Sequence, residues 1–389
     1  MRKNFLLAGA MLLALGSCTN EINEEGFVDK TNTISFNAYP NKTRAYSSGD
    51  IDNATAMREG SFGVVGYSGN NIYLGSTSKA IEQNFSSTTN HWEYKNQSDL
   101  KFWPNGSMDF YAYFPYSGSG DTFASTNSDG TVMTINNATG NQDVLFASAT
   151  NQSYQDRIPL TFHHAFSKIN SVKIKVELND VEVVVKKVEF INTTSSANSQ
   201  ILVDKSGKAT YGTSTGETST CGLELSSAVS INNTNENAEG YTVWQSTDNK
   251  YLLSTQGAND AYNVTGTNKA MWDGTNSDWQ EGDKLSTKGL VCLKITSKVK
   301  YHNGSEYLVG DAESDGEIYI PLKGTHTSVG GNDSTDDLEH FFAGKRYSYS
   351  IIMKDNVGFK DNGDPILKPI LFSVSQVDAW DDVNVTINL

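Results

Sequence analysis

The side chains that most invite a chemical reading are His163-His164, the run Ser117-Gly118-Ser119-Gly120, the acids Asp311, Glu313 and Asp315, and three cysteines, Cys18, Cys221 and Cys292. An adjacent histidine pair suggests a metal, but successive residues of a strand point to opposite faces, and no third ligand follows at a recognisable spacing. The serine run lacks the leading glycine that presents a nucleophile on a sharp turn. Asp311, Glu313 and Asp315-Gly316 open like a calcium loop, yet Leu322 stands where the closing carboxylate belongs. Asp361-Asn362-Gly363-Asp364 reads as a turn rather than a cation site. No glycine-rich loop opens a helix to cradle a phosphate. The expectation is a protein that is not an enzyme, with no catalytic residues, no metal and no cofactor.

Covalent processing is the chemistry that the spacing does favour. Arg2 and Lys3 precede an apolar stretch from Phe5 to Leu15, too short to span a bilayer and typical of an export signal. Leu15-Gly16-Ser17-Cys18 then fits a lipobox, in which small residues admit a peptidase and the Cys18 thiol carries a diacylglyceryl group. Each buried methylene contributes about 0.8 kcal/mol, so several acyl chains hold a protein firmly on a membrane. Thr19 to Glu25 follows as an acidic tether. The second candidate is the Arg44-Ala45 bond. Arginine occurs only at positions 2, 44, 58, 157 and 346, and Arg44 sits in the polar stretch Asn41-Lys42-Thr43 after Pro40. An arginine-specific protease would find few other sites, Arg58 being the runner-up; chance placement is the alternative.

The element that must present this bond is the segment from Thr31 to Tyr39. Ile34, Phe36 and Ala38 alternate with Ser35, Asn37 and Tyr39, the period of a strand with one apolar face, and Pro40 should end it. Cutting after Arg44 would free the body of the protein from its anchor and remove that strand, leaving an open sheet edge. The chain ends in a second strict alternation, Val383, Val385, Ile387 and Leu389 among polar residues. Such a strand either fills a groove in another chain or closes the sheet of its own domain.

Between these ends the pattern is all-β. Short alternating runs at 62–67, 108–114, 172–178 and 181–191 stand among Gly, Ser, Thr and Asn, with a turn at Asn179-Asp180 marking a domain change. The formal net charge of -15 argues against nucleic acid and suits solubility at a cell surface. Cys221 and Cys292 are either bonded to each other or buried and reduced.

Phe102-Trp103-Pro104-Asn105-Gly106, Phe110-Tyr111-Ala112-Tyr113-Phe114-Pro115 and Pro159 to Ile169, taken with the lipobox and Thr43-Arg44-Ala45, give the chain a resemblance to the fimbrillin family of Bacteroidales, the subunits of type V pili. The similarity runs over most of the chain and is strongest before about Leu178. It implies two tandem β-sandwich domains of transthyretin-like type: a signal peptide over 1–18, a tether and removable strand over 19–44, and sandwiches over 45–180 and 181–389. It also implies a structural or tip subunit, cleaved after Arg44 and assembled by donor-strand exchange for adhesion. The partners would be other subunits of the family, an arginine-specific protease, the outer membrane, and a host or bacterial surface receptor. The alternative is a glycan-binding surface lipoprotein that does not polymerise and uses exposed aromatics such as Trp272 and Trp279.

Overall fold

The computed structural model describes residues 32–40, 54–116, 130–137, 143–193, 199–212, 219–223, 225–234, 240–246, 251–253, 264–265, 270–301, 306–325, 337–338, 340–354, 356–366, 371–374 and 382–388. Cys18, the Arg44-Ala45 bond, the serine run at 117–120 and Leu389 lie outside the described residues.

Regular structure is almost entirely strand, as expected from the sequence. The first nine strands are β1 Phe36–Pro40, β2 Ser61–Ser68, β3 Asn71–Leu74, β4 Ile81–Ser86, β5 His91–Tyr94, β6 Met108–Phe114, β7 Thr131–Asn137, β8 Leu145–Gln152 and β9 Ile158–His164. Next come β10 Phe166–Val176, β11 Val181–Thr193, β12 Ser199–Asp204, β13 Ala209–Gly212, β14 Ser219–Leu223, β15 Val229–Asn232, β16 Tyr241–Gln245, β17 Tyr251–Leu253 and β18 Val264–Thr265. The last are β19 Cys292–Tyr301, β20 Glu306–Val309, β21 Gly316–Pro321, β22 Gly324–Thr325, β23 Asp337–Leu338, β24 Arg346–Met353, β25 Leu371–Val374 and β26 Asp382–Asn388. Among the described residues two short α-helices, α1 Ala54–Arg58 and α2 Leu285–Lys288, interrupt them.

An eight-stranded sheet runs in the order β1-β9-β8-β6-β2-β4-β5, with β3 added on β2. Its strands show why it curls. One row of side chains (Phe62 and Val64 on β2, Phe110, Ala112 and Phe114 on β6, Leu160 and Phe162 on β9) gathers around Ile34 and Phe36 in a single buried cluster. The opposite row, Val65, Tyr67, Tyr111, Tyr113 and Phe146, is buried as well, against Val132, Met133, Ile201 and Val203 of a four-stranded sheet in the order β18-β13-β12-β7. Two buried faces explain the nearly unbroken aromatic run of β6. Tyr67 and Tyr111 reach across the layer and donate their hydroxyls to the carbonyls of Val132 and Lys205, at 2.8 and 2.9 Å.

Two further sheets share the largest core. One is ordered β16-β10-β24-β26-β25, with β17 also on β10; the other is β14-β11-β19-β20, with β15 on β11 and β21 on β19. Val183, Val185 and Val188 of β11 all reach this core although their spacing breaks the two-residue period. A bulge between Val185 and Lys187 resets the phase.

Strand pairing crosses the expected division at residue 180 in both directions. β10, numbered within the first half, lies in a sheet with β24 and β26, whereas β12 and β13, numbered in the second, extend the sheet of β7. Alternation shows which face of a strand is apolar, not which strand lies beside it.

Candidate functional site

β1 is held at one end of the eight-stranded sheet, parallel to β9, in a register running from Phe36 opposite Ile158 to Pro40 opposite Phe162. The missing N–H of Pro40 is tolerated at such an edge, and the strand therefore reaches one residue further than its sequence suggests. Ahead of the ladder, Ile158 donates its N–H to the Ser35 carbonyl at 2.8 Å. The alternation read from the sequence becomes burial: Ile34 and Phe36 are fully buried, Ala38 is half-buried, and Asn37 and Tyr39 face out. The Phe36 ring lies edge-on to Phe110 at 5.4 Å and to Phe62 at 6.2 Å.

The other side of β1 is also gripped, which the sequence did not reveal. The sheet curls until β5, its far end, meets β1, and Trp92 donates its Nε1–H to the Ala38 carbonyl at 3.2 Å. Below that, Ile34 N–H bonds to Lys101 O and Trp103 N–H to Asn32 O, each at 2.9 Å. The alternation of Trp92-Glu93-Tyr94 marks a strand, but nothing in it says that the strand would meet a segment more than fifty residues earlier. Taking β1 away would leave β9 paired with β8 alone and open a slot walled by Phe62, Phe110 and Phe162.

β26 is placed differently. It is an inner strand, parallel to β24 on one side and antiparallel to β25 on the other, and Val385 and Ile387 are fully buried in the shared core. Val383 pairs with Tyr347 in the same ladder. Of the two roles open to this strand, its placement here is the closing of its own sheet; the sequence pattern of both roles is the same.

The remaining candidates have partners within their own local structure. His163 packs against Phe146 with ring centroids 6.1 Å apart, whereas the His164 Nδ1 meets the buried Asp143 carboxylate at 2.9 Å. The two rings do not converge, and among the described residues no group of three or more His, Cys, Asp or Glu side chains is placed to hold a metal. Burial, with the neighbouring His164 second, pushes the His163 imidazole from 6.5 down to about 4. The unfolded chain therefore takes up a proton below about pH 6.5 that the folded protein refuses until about pH 4, so stability is level above this window and falls through it. Urea midpoints measured across it should drop as pH falls, and His163→Phe should flatten the slope; an unchanged slope would rule His163 out as the cause.

Asp311 accepts from the amides of Glu313 and Ser314 at 2.8 and 2.6 Å, a local turn, and these bonds hold its carboxyl below the usual range. Asp361 accepts the N–H and hydroxyl of Ser286 at 3.1 and 3.0 Å at the start of α2. Cys221 sits opposite Phe190 on one side of β11 and Cys292 opposite Ile191 on the other. Two strand spacings, about 10 Å, exceed the reach of a disulfide. The two cysteines are not bonded to each other.

Trp272 and Trp279 do not form the exposed platform expected for the glycan-binding alternative. Trp272 is fully buried among Phe359, Tyr319 and Cys292, and its Nε1–H bonds to Thr275 O at 2.8 Å. Trp279 is half-buried on it with centroids 6.1 Å apart, covered in turn by the Lys288 ammonium at 5.2 Å. The polar run around them hid a small apolar core.

Comparison with known proteins follows from this geometry. A family described as fimbrillin-like matches residues 43–364, a span that begins after β1 and ends before β25. Among solved structures, the chain is similar to a fimbrial protein from Bacteroides vulgatus, with 14% identity and a TM-score of 0.41 over 92% of this chain and 98% of that one. It is also similar to a fimbrilin from Porphyromonas gingivalis, with 10% identity and a TM-score of 0.39 over 92% and 98%. No curated protein matches the chain.

Proposed function

The chain belongs to the fimbrillin-like family, and from that premise we propose that it is a fimbrial subunit made as an outer-membrane lipoprotein on Cys18, cut after Arg44, and assembled by strand exchange into adhesive surface fimbriae. The observation that carries this reading is the position of β1. It is the first strand among the described residues, it lies at a sheet end, it is bonded to one neighbour by a regular ladder, and yet, with the residues just ahead of it, it contributes Ile34 and Phe36 to the core. A strand so placed can leave without unthreading any other, and its departure exposes an edge and a groove that a β-segment from another subunit satisfies.

The donor needs an apolar residue at every second position. Val383, Val385, Ile387 and Leu389 supply that pattern, but β26 must first be withdrawn from between β24 and β25. Subunit addition is then coupled to a rearrangement of the donor's own sheet. No observation favours the alternative of a non-polymerising lectin built on Trp272 and Trp279.

The test is digestion of the full chain with an arginine-specific endoprotease, followed by amino-terminal sequencing. The first new terminus is expected at Ala45. Arg58, the competing site, lies in α1 with its guanidinium 4.5 Å above the Phe85 ring, a packed setting unsuited to a protease. Arg44→Ala should block the cut. Initial cleavage after Arg58, or equal processing of the Arg44→Ala variant, would overturn the proposed maturation.

A further inference from the structure

The outward face of β1, opposite Ile34 and Phe36, lines an open cleft of about 650 Å³. Thr33, Ser35 and Asn37 form one wall, and His91 of β5 with Gln155, Asp156 and Arg157 ahead of β9 forms the other. Part of this lining is fixed. Ser35 Oγ donates to the Asp156 carbonyl at 2.7 Å, an Arg157 guanidinium N–H donates to His91 Nδ1, and Gln155 Nε2–H donates to Gln152 Oε1 at 2.7 Å. The Thr33 hydroxyl, the Asn37 amide and the Asp156 carboxylate, by contrast, bond to no other described residue. Donors on Arg157, acceptors on Asp156 and two-way groups on Thr33, Asn37 and Gln155 therefore face one space.

Aromatic rings accompany these polar groups. Among the described residues three large hydrophobic side chains are exposed, and two of them, outside the lining itself, are close in the chain to residues that line the cleft. Tyr39, 42% exposed, continues the outward row of Thr33, Ser35 and Asn37; Tyr154, 52% exposed, precedes Gln155 and leans edge-on against Trp103 at 6.2 Å. From Thr33 to Tyr39 this row extends about 20 Å at 3.3 Å per residue.

We propose that the cleft binds a neutral oligosaccharide. Each sugar hydroxyl both donates and accepts, which suits a lining that carries both a guanidinium and a carboxylate. With one carboxylate and one guanidinium in the lining, the opposite charges offset and favour neither a net anion nor a net cation. Beyond the lining, the exposed rings of Tyr39 and Tyr154 offer apolar faces to the C–H side of a sugar ring in a chain longer than the cleft. This site is independent of strand exchange, but β1 is one of its walls. Withdrawing β1 removes Thr33, Ser35, Asn37 and Tyr39, so the cleft belongs to the uncut protein, and a bound glycan holds β1 in place by mass action.

The test applies the uncut full chain to an array of neutral and acidic oligosaccharides and of extended peptides, followed by calorimetric titration of whatever neutral glycan is retained. Saturable binding of a neutral glycan is expected, weakened by about tenfold in Asn37→Ala and in Tyr154→Ala, with melting temperatures unchanged. Trp279→Ala should bind as the parent chain does. The proposal is overturned by retention of no neutral glycan, by capture of acidic glycans or peptides alone, by binding indifferent to both variants, or by binding that survives removal of β1.

Discussion

Expressed from Ala45 onward, the chain is expected to lose the folded state of its first sheet, to expose apolar surface and to self-associate, and to recover a monomeric fold when a peptide spanning residues 31–44 is supplied. The magnitudes make this the largest effect the structure implies. Truncating a buried phenylalanine costs about 3–5 kcal/mol and a buried isoleucine about 2–5 kcal/mol. Ile34 and Phe36 are both fully buried, and the β9 ladder and the Trp92 bond to Ala38 would go with them. A domain's whole stability is about 5–15 kcal/mol, so the sum is comparable with all of it. Dye binding, sedimentation and thermal melting of the truncated chain, with and without the peptide, provide the measurement. Phe36→Ala in the full chain should lower stability by about 3–5 kcal/mol with Tyr39→Ala nearly neutral, which separates the loss of packing from the mere loss of residues. A truncated chain that stays monomeric and melts like the parent would mean that β1 covers nothing, and the exchange proposal would fall with it.

What the sequence shows and what it hides follow one rule. Ile34, Phe36 and Ala38 could be assigned to an inner face from their period alone, and Met108, Phe110, Ala112 and Phe114 to one face of β6, because side-chain direction is a local property. The partners are not local. That β1 lies parallel to β9, some 120 residues away, and that β12 returns to β7 across the turn at Asn179-Asp180, are products of long-range packing. The same limit explains the tryptophans. Trp272 sits in a polar, acidic run that looks exposed, but its ring is covered by Phe359 and Tyr319 from strands and loops far along the chain. The cleft beside Asn37 was hidden for a related reason, since its walls come from β1, β5 and the approach to β9, and none of the three is notable alone.

Removing residues 382–389 is expected to unfold the second pair of sheets, and Val385→Asp should do nearly as much by one substitution. β26 lies between β24 and β25, so its loss strips a parallel ladder from Tyr347, Tyr349 and Ile351, all fully buried. A carboxylate at position 385 would have no partner in a core of valine, isoleucine and aromatic side chains, and an unpaired buried charge outweighs the few kcal/mol that a sheet of this size has to spare. Near-ultraviolet circular dichroism and limited proteolysis would report the loss, with Thr386→Ala, a half-buried position on the other face of β26, as a control that keeps the fold. The result also bears on assembly. If the terminal strand can be deleted with little change in melting temperature, it is an appendage held lightly and is available to a neighbouring subunit at once. If deletion unfolds the sheet, as Val385 and Ile387 imply, then donation must await a groove that binds the strand at least as well as β24 and β25 do. On the proposed exchange, the open slot beside β9 would then drive polymerisation by competing for a strand already in use, and subunits should stay monomeric until β1 has been removed from one of them.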